Sequence, residues 1–451
     1  PASTPNQNRA TFYSAVTGQR RVRSGPGVRA VAISFTGQVA LAGAEYLPTE
    51  RTPRGVATLA QLPKPDATDG TPEQLAVTSR LRGARTPLTS VAFLGADRLV
   101  TADEAGELRF WSATSPRAQR TLLGHREAPV MLQFVGPDRL FSGDLDRKLM
   151  TFERLRGATS NHSWLASELD QFAAELVRIA ALPHADPSQP GRALAATESG
   201  RVVVYDLETG LEERDFQGHR DAVAALATRA DGLVASGSMA GRIALWSADD
   251  GDARWLADDH RGPVFALAFA PDGQRLASVG HDLGVRVWDV ASGRLLGTGY
   301  GHRGMLDQVA WSPDGKWLAS AGDDTVVRLW AVSDDGDIAD TSVRPLGGHV
   351  GGTARFAFAS AARLVTAAAD GQLRLWSTAD GSLRASLDAH RPAANRLGSV
   401  RGLTATATRI VSAGADGTLC VFEGKPGHDA SWQVRGRLAL SAPAVGLATT
   451  A

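Results

Sequence analysis

Short apolar runs alternate with polar turn clusters along most of the chain, and the clearest case lies between Asp259 and Asp289. Val264-Phe265-Ala266-Leu267-Ala268-Phe269 is apolar, and Pro271-Asp272-Gly273 behind it supplies the residue types of a tight antiparallel turn. Leu276-Ala277-Ser278-Val279 gives a second strand. His281-Asp282-Leu283-Gly284 turns the chain again, and Val285-Arg286-Val287-Trp288 alternates apolar and polar as a strand does. Ala291-Ser292-Gly293 is a third turn and Arg294-Leu295-Leu296-Gly297 a fourth strand. The pattern predicts a four-stranded antiparallel meander of about 42 residues.

The meander recurs. An aromatic residue like Trp288 stands at Trp111, Phe152, Tyr205, Trp246, Trp330, Trp376 and Phe422. Six residues before the aromatic comes Asp146, Asp282, Asp324, Asp370 or Asp416; ten before it comes Thr101, Ser142, Ser236, Ser278, Ser320, Thr366 or Ser412. A histidine opens six units: His125, His219, His260, His302, His349 and His390. Compositional bias does not place residues at fixed offsets, so the chain is a repeat array.

This order of Gly-His, Ser/Thr, turn Asp and closing Trp-Asp resembles the WD-repeat β-propeller family, and Trp288-Asp289 keeps the dipeptide that names it. The resemblance covers nearly the whole chain. It implies an all-β propeller of four-stranded antiparallel blades, in which each unit's His, Ser/Thr, Asp and Trp hydrogen-bond to one another and the aromatic packs between blades. Elementary chemistry agrees, because a buried imidazole is tolerated when both ring nitrogens find partners. Ala105, Ser199 and Ala240 replace the turn Asp, and Phe152 and Phe422 lack an indole N–H, so those blades are expected to be looser.

The expected units span 28–82, 86–122, 128–168, 175–215, 222–257, 263–298, 305–346, 352–388 and 398–438. Unit 28–82 has no His, Trp or turn Asp, and its long loops at 46–54 and 63–72 are expected to be mobile surface. Tyr13 aligns with Tyr205, and Pro443 to Ala448 reads as a first strand. Residues 442–451 and 1–25 are therefore expected to complete one composite blade, for about ten in all, which also removes two exposed sheet edges. Pro1 is not an initiator Met, so a missing N-terminal portion is expected. Trp164, Leu165, Leu169, Phe172 and Leu176 fall roughly on one helical face, but blade register competes. The favoured reading is a strand over 162–168, a short helical loop, and a strand over 176–182.

Charge and cysteine content narrow the function classes. With 48 basic and 48 acidic residues, no net charge draws the chain to nucleic acid or a membrane surface. No apolar run reaches the roughly 18 residues of a membrane helix. The single cysteine, Cys420, reads as a small buried hydrophobe. Asn161-His162-Ser163 matches the glycosylation pattern, which is frequent by chance. The Ala-, Arg- and Gly-rich composition points to a bacterial source, and a cytoplasmic location is expected.

Ser278, Asp282 and His260 are the residue types of a Ser-His-Asp hydrolase, yet an enzyme needs one such set and this one recurs, which points to scaffolding. The repeat histidines are whole blades apart, and His162, His184, His281 and His428 show no metal-ligand spacing, so no metal or cofactor is implied. The residue after the repeat His is Arg in five units, Arg126, Arg220, Arg261, Arg303 and Arg391, with Val350 the exception. On one face these could engage a carboxylate- or phosphate-bearing partner; the plainer reading is loop arginines paired with nearby acids. Arg109, Arg286, Arg328 and Arg374, two before each Trp, read as packing residues.

The expected function is a non-catalytic scaffold for other proteins or for another domain of its own polypeptide, as a sensor or docking propeller of a larger bacterial signalling or effector protein. A structural subunit of an assembly is the alternative. An enzyme with its site in the central channel is disfavoured, because first strands such as Val223-Ala224-Ala225-Leu226 are chiefly apolar.

Overall fold

The computed structural model describes residues 28–33, 38–45, 54–61, 73–74, 77–94, 98–112, 115, 117–123, 125, 129–134, 139–144, 148–154, 164–171, 176–182, 192–206, 209, 211–216, 218–338, 343–351, 355–390, 400–414, 418–425, 431–439 and 448–449. Among them there is no α-helix, and the strands form nine antiparallel meanders. We number these sheets one to nine in chain order. Their first strands are Val28–Ile33, Leu88–Leu94, Pro129–Phe134, Leu176–Leu182, Val223–Thr228, Val264–Phe269, Leu306–Trp311, Arg355–Ser360 and Val400–Ala405. From sheet one to sheet seven, each first strand lies against the first strand of the next, as does that of sheet eight against sheet nine. Sheets seven and eight are tied by Gln308, which donates to the Phe356 carbonyl at 2.8 Å and accepts from its main-chain N–H at 3.3 Å.

Two register shifts recur. One falls near the start of the first strand, as between Val264 and Ala266 or Leu306 and Gln308. The other falls just before the repeat aromatic, between Val287 and Trp288, Leu245 and Trp246, and Leu375 and Trp376. A bulge re-aims a side chain, and here it marks the residue that must leave the plane of its own sheet. Trp111, Trp246, Trp288 and Trp330 are fully buried. Trp288 clusters with Ala235, Ile243 and Leu245 of sheet five, and Trp330 with Val279, Val285 and Val287 of sheet six. Each aromatic therefore fills the space against the preceding sheet. The single thiol behaves as a core group: Cys420 is fully buried and donates to the Ala389 carbonyl at 2.9 Å.

The described residues build nine sheets, and the tenth, composite unit expected from 442–451 and 1–25 falls largely outside them; its described part, Ala448–Thr449, adds in parallel to Ala32–Ile33 of sheet one. Glu73–Gln74, from the same sheet's last connection, pairs in parallel with Gly436–Arg437 of sheet nine. An unpaired edge accepts any extended segment, and these two links join the first and last sheets. Residues 1–25 lie outside the described residues, as do Asn161 to Ser163 and nearly all of the long loops of unit 28–82. The strand expected to stop at 168 runs on as Trp164–Gln171, with residues of the proposed helical face inside it, because pairing with Lys148–Arg154 prevails over helical spacing.

At the end of the sheets that carries the turn between first and second strands, arginines fasten sheets together. Arg275, itself buried, holds Asp272 at 2.7 Å and donates at 3.1 Å to the carbonyls of Gly315 and Ser333 in sheet seven. Its guanidinium lies 5.0 Å from the Trp311 ring. Arg229 reaches from sheet five to the Gly273 carbonyl and lies over Phe269, and Arg344 reaches from sheet seven to the Thr378 carbonyl while lying over Trp317. Arg275→Ala strands these carbonyls and Asp272, and is expected to lower unfolding free energy by about 2 kcal/mol. Urea denaturation followed by tryptophan fluorescence measures it; a change under about 0.5 kcal/mol, the usual surface effect, would show that the clamp carries no load.

Candidate functional site

The recurrent polar residues converge at the opposite end of the sheets, where the chain crosses from one sheet into the next. In sheet six the Ser278 hydroxyl accepts from Trp288 Nε1 at 2.8 Å and lies 2.7 Å from His260 Nε2. His260 Nδ1 meets Asp282 at 2.9 Å, and the Arg261 main-chain N–H donates to the same carboxylate at 3.0 Å. Sheet seven repeats this with Trp330, Ser320, His302 and Asp324 at 2.7 to 2.8 Å. In sheet eight Trp376 and His349 each lie 2.8 Å from the Thr366 hydroxyl, and Asp370 accepts from His349 at 3.0 Å and from the Val350 main chain at 3.2 Å. The hydroxyl sits on the second strand, the indole on the third, and the histidine and carboxylate on flanking loops, so one network ties four segments.

The arginines read as packing residues are corrected to members of this network. Arg286 pairs with Asp282 at 2.8 Å, Arg328 with Asp324 at 2.8 Å and Arg374 with Asp370 at 3.2 Å. Burial alone would push the Asp282 and Asp324 carboxyls up; the histidine hydrogen bond, the main-chain donor and the arginine together hold them well below the ordinary range. Sequence reasoning also missed Asp103. Ala105 stands at the turn-Asp position of sheet two, yet Asp103, eight residues before Trp111, is fully buried, holds Arg109 at 2.5 Å and accepts from the main chain of Ala105 and Glu107. Its pKa is raised by burial, against the pull of Arg109.

Other units are partial. In sheet three His125 lies 2.5 Å from Ser142, Phe152 brings no N–H, and Asp146 lies outside the described residues. In sheet nine His390 meets Ser412 at 2.9 Å and Thr418 at 2.7 Å, with Asp416 outside the described residues. Sheet five keeps His219, Ser236 and Trp246 at 2.6 and 2.7 Å but has no carboxylate at Ala240. Burial lowers His219 to about 4.

Above these networks lie the candidate partner-binding arginines. Arg220, Arg261 and Arg303 are exposed and, among the described residues, form no ion pair; Arg126 and Arg391 lie outside the described residues. Tyr300 (61% exposed) and Val350 (69% exposed) flank His302 and His349 on equivalent connections. Leu283 and Thr325, at φ 65° and 64°, hold a left-handed turn position that sheets two, four, five and eight give to Gly106, Gly200, Gly241 and Gly371. A side chain there costs about 1–2 kcal/mol. In the inner layer, Asp307 and Arg355 of neighbouring first strands pair at 2.9 Å, and burial raises the Asp307 pKa despite the arginine. No His, Cys, Asp or Glu cluster suited to a metal ion, and no helix long and apolar enough to cross a membrane, occurs among the described residues.

The model of the WD domain, G-beta repeat, matches residues 256–289 and 293–331. The chain is 33% identical over 101 residues to WD repeat-containing protein SL1-17 of Schistosoma mansoni, covering 22% of this chain and 33% of that protein. It is 35% identical over 118 residues to WD repeat-containing protein 90 of Mus musculus, covering 24% and 6%. The matched stretches thus span a third or less of these relatives' lengths. The solved structure of Chaetomium thermophilum Sqt1 bound to the N-terminus of ribosomal protein L10 superposes with a TM-score of 0.59 at 18% identity, covering 88% of this chain and 97% of that one. These proteins come from eukaryotes, and they lend nothing to the bacterial and signalling expectations.

The histidines fix the sign of the acid response. His219, His260, His302 and His349 are all lowered, foremost by burial, so they stay neutral in the fold while their unfolded counterparts bind protons below about pH 6.5. Stability is therefore fully present above that pH and is lost as pH falls through the lowered histidine values, about 4 for His219. The lowered Asp282 and Asp324 act in the same direction at more acid pH. Calorimetry at constant ionic strength is expected to show Tm falling steadily from pH 7 to pH 4; a flat or rising Tm would contradict neutral buried imidazoles.

Proposed function

We propose, from the premise that this chain is a WD-repeat β-propeller, that it is a non-catalytic interaction scaffold whose histidine-side face holds an acidic segment of another protein. One observation carries the reading. Arg220, Arg261 and Arg303 project from equivalent connections, with Arg261 and Arg303 anchored through their main chains to Asp282 and Asp324. Anchored backbones and unpaired guanidinium groups lower the ordering entropy a partner must overcome and leave bidentate donors for carboxylates. Tyr300 and Val350 add apolar area beside them, and the strained Leu283 and Thr325 keep side chains where glycine would be easier. The same fold in Sqt1 has been solved with the N-terminus of a ribosomal protein, so a protein ligand suits the architecture.

Charge reversal is the direct test. Affinity capture from a source-organism lysate, with wild type and the Arg261→Glu/Arg303→Glu variant side by side, is expected to recover a stoichiometric partner at least about tenfold less with the variant, the loss of roughly 1.4 kcal/mol. Circular dichroism verifies that the variant is folded. Equal recovery would refute the arginine face, and substrate turnover by the purified protein alone would refute the scaffold.

A further inference from the structure

Sheet five departs from its neighbours at both charged positions. Where sheets six to eight have Asp282, Asp324 and Asp370 with Arg286, Arg328 and Arg374, sheet five has Ala240 and Ala244. The rest of its network remains, with Ser236 accepting from Trp246 at 2.7 Å and lying 2.6 Å from His219 Nε2. Two polar atoms are left over. His219 Nδ1 and Ser238 Oγ are buried and have no hydrogen-bond partner among the described residues. His219 is 8% exposed and Ser238 0%, whereas Ala240 is open to solvent.

The neighbouring sheets show what such donors are arranged to hold. The imidazole Nδ1 and the main-chain N–H of the next residue converge on one carboxylate three times: at 2.9 and 3.0 Å on Asp282, 2.8 and 3.0 Å on Asp324, and 3.0 and 3.2 Å on Asp370. In sheet five those positions belong to His219 and Arg220. Arg242, whose charge acts on His219, is already committed to Asp258 at 2.7 and 2.8 Å and to the Gly218 carbonyl at 3.0 Å. The other charged neighbour, Asp221, accepts no hydrogen bond from His219. The exposed Arg220, next in the chain after His219, favours an approaching anion.

We propose that sheet five is a carboxylate-binding site completed from outside: the side-chain carboxylate of a partner's Asp or Glu takes the place over Ala240 and accepts from His219 Nδ1, as Asp282 does within sheet six. This rests on the scaffold reading and names the chemistry of its ligand. A carboxylate is favoured over larger anions because three sibling sites hold that group between the same donors.

The test needs no identified partner. Sodium formate, acetyl-glutamate-amide and acetyl-glutamine-amide are titrated at constant ionic strength, with the His219 ring resonances followed by NMR and assigned through His219→Gln. Formate and the glutamate compound are expected to shift those resonances saturably, to raise the His219 pKa because a carboxylate stabilises the imidazolium, and to raise Tm; the glutamine compound is expected to do none of these. Ala240→Asp, which supplies the carboxylate within the chain, is expected to abolish the shifts. No response to formate or glutamate overturns the site, whatever the Arg261 and Arg303 variants do to partner capture. A response to formate alone overturns the protein side chain as ligand. Should Ala240→Asp not fold, the glutamate-against-glutamine comparison in the wild type still decides.

Discussion

Sheets five to eight hang on a buried hydroxyl that serves two rings at once. Ser278, Ser320 and Thr366 each take an indole N–H and meet a histidine nitrogen from deep inside a sheet, where water cannot substitute for either partner. A buried polar group left unmatched costs more than a matched one contributes, so the arrangement selects a single geometry as well as adding stability. With the indole fixed in orientation, its face is presented to the sheet before it, and the apolar clusters span adjacent sheets in consequence.

The two ends of the sheets are held by different chemistry. At the histidine end the bonds lie within a sheet and leave the connecting loops free to carry Arg261, Arg303, Tyr300 and Val350. At the other end Arg275, Arg229 and Arg344 bridge sheets by donating to neighbouring carbonyls, which ties those turns into the framework. Binding surfaces need loops whose backbones are fixed and whose side chains are unengaged. The histidine end meets that description.

The repeated rivet was legible because its members sit at fixed offsets from an aromatic, and the apolar runs between them give the strands of each sheet directly. What escaped depended on three dimensions. Arg286 and Asp282 are near neighbours in sequence, yet their pairing depends on the turn between them. Asp103 sits two residues off the repeat position and, from within the strand, holds the arginine that the turn carboxylate holds in sheets six to eight. The clamp of Arg275 joins atoms 40 and 58 residues apart across a sheet boundary, which no period reveals. The pairing of Ala448–Thr449 escaped for a related reason: a strand-like segment shows its propensity and not which edge it will choose, and this one chooses sheet one.

The sharpest test of the hydroxyl as shared partner is a double-mutant cycle at Ser278 and Trp288. Ser278→Ala strands the indole N–H and the imidazole together and is expected to lower unfolding free energy by about 3 kcal/mol. Trp288→Phe beforehand removes one of those two claims, so the Ser278→Ala loss should shrink in that background by at least about 1 kcal/mol. Additivity of the two substitutions within about 0.3 kcal/mol would mean that the hydroxyl and the indole do not depend on each other.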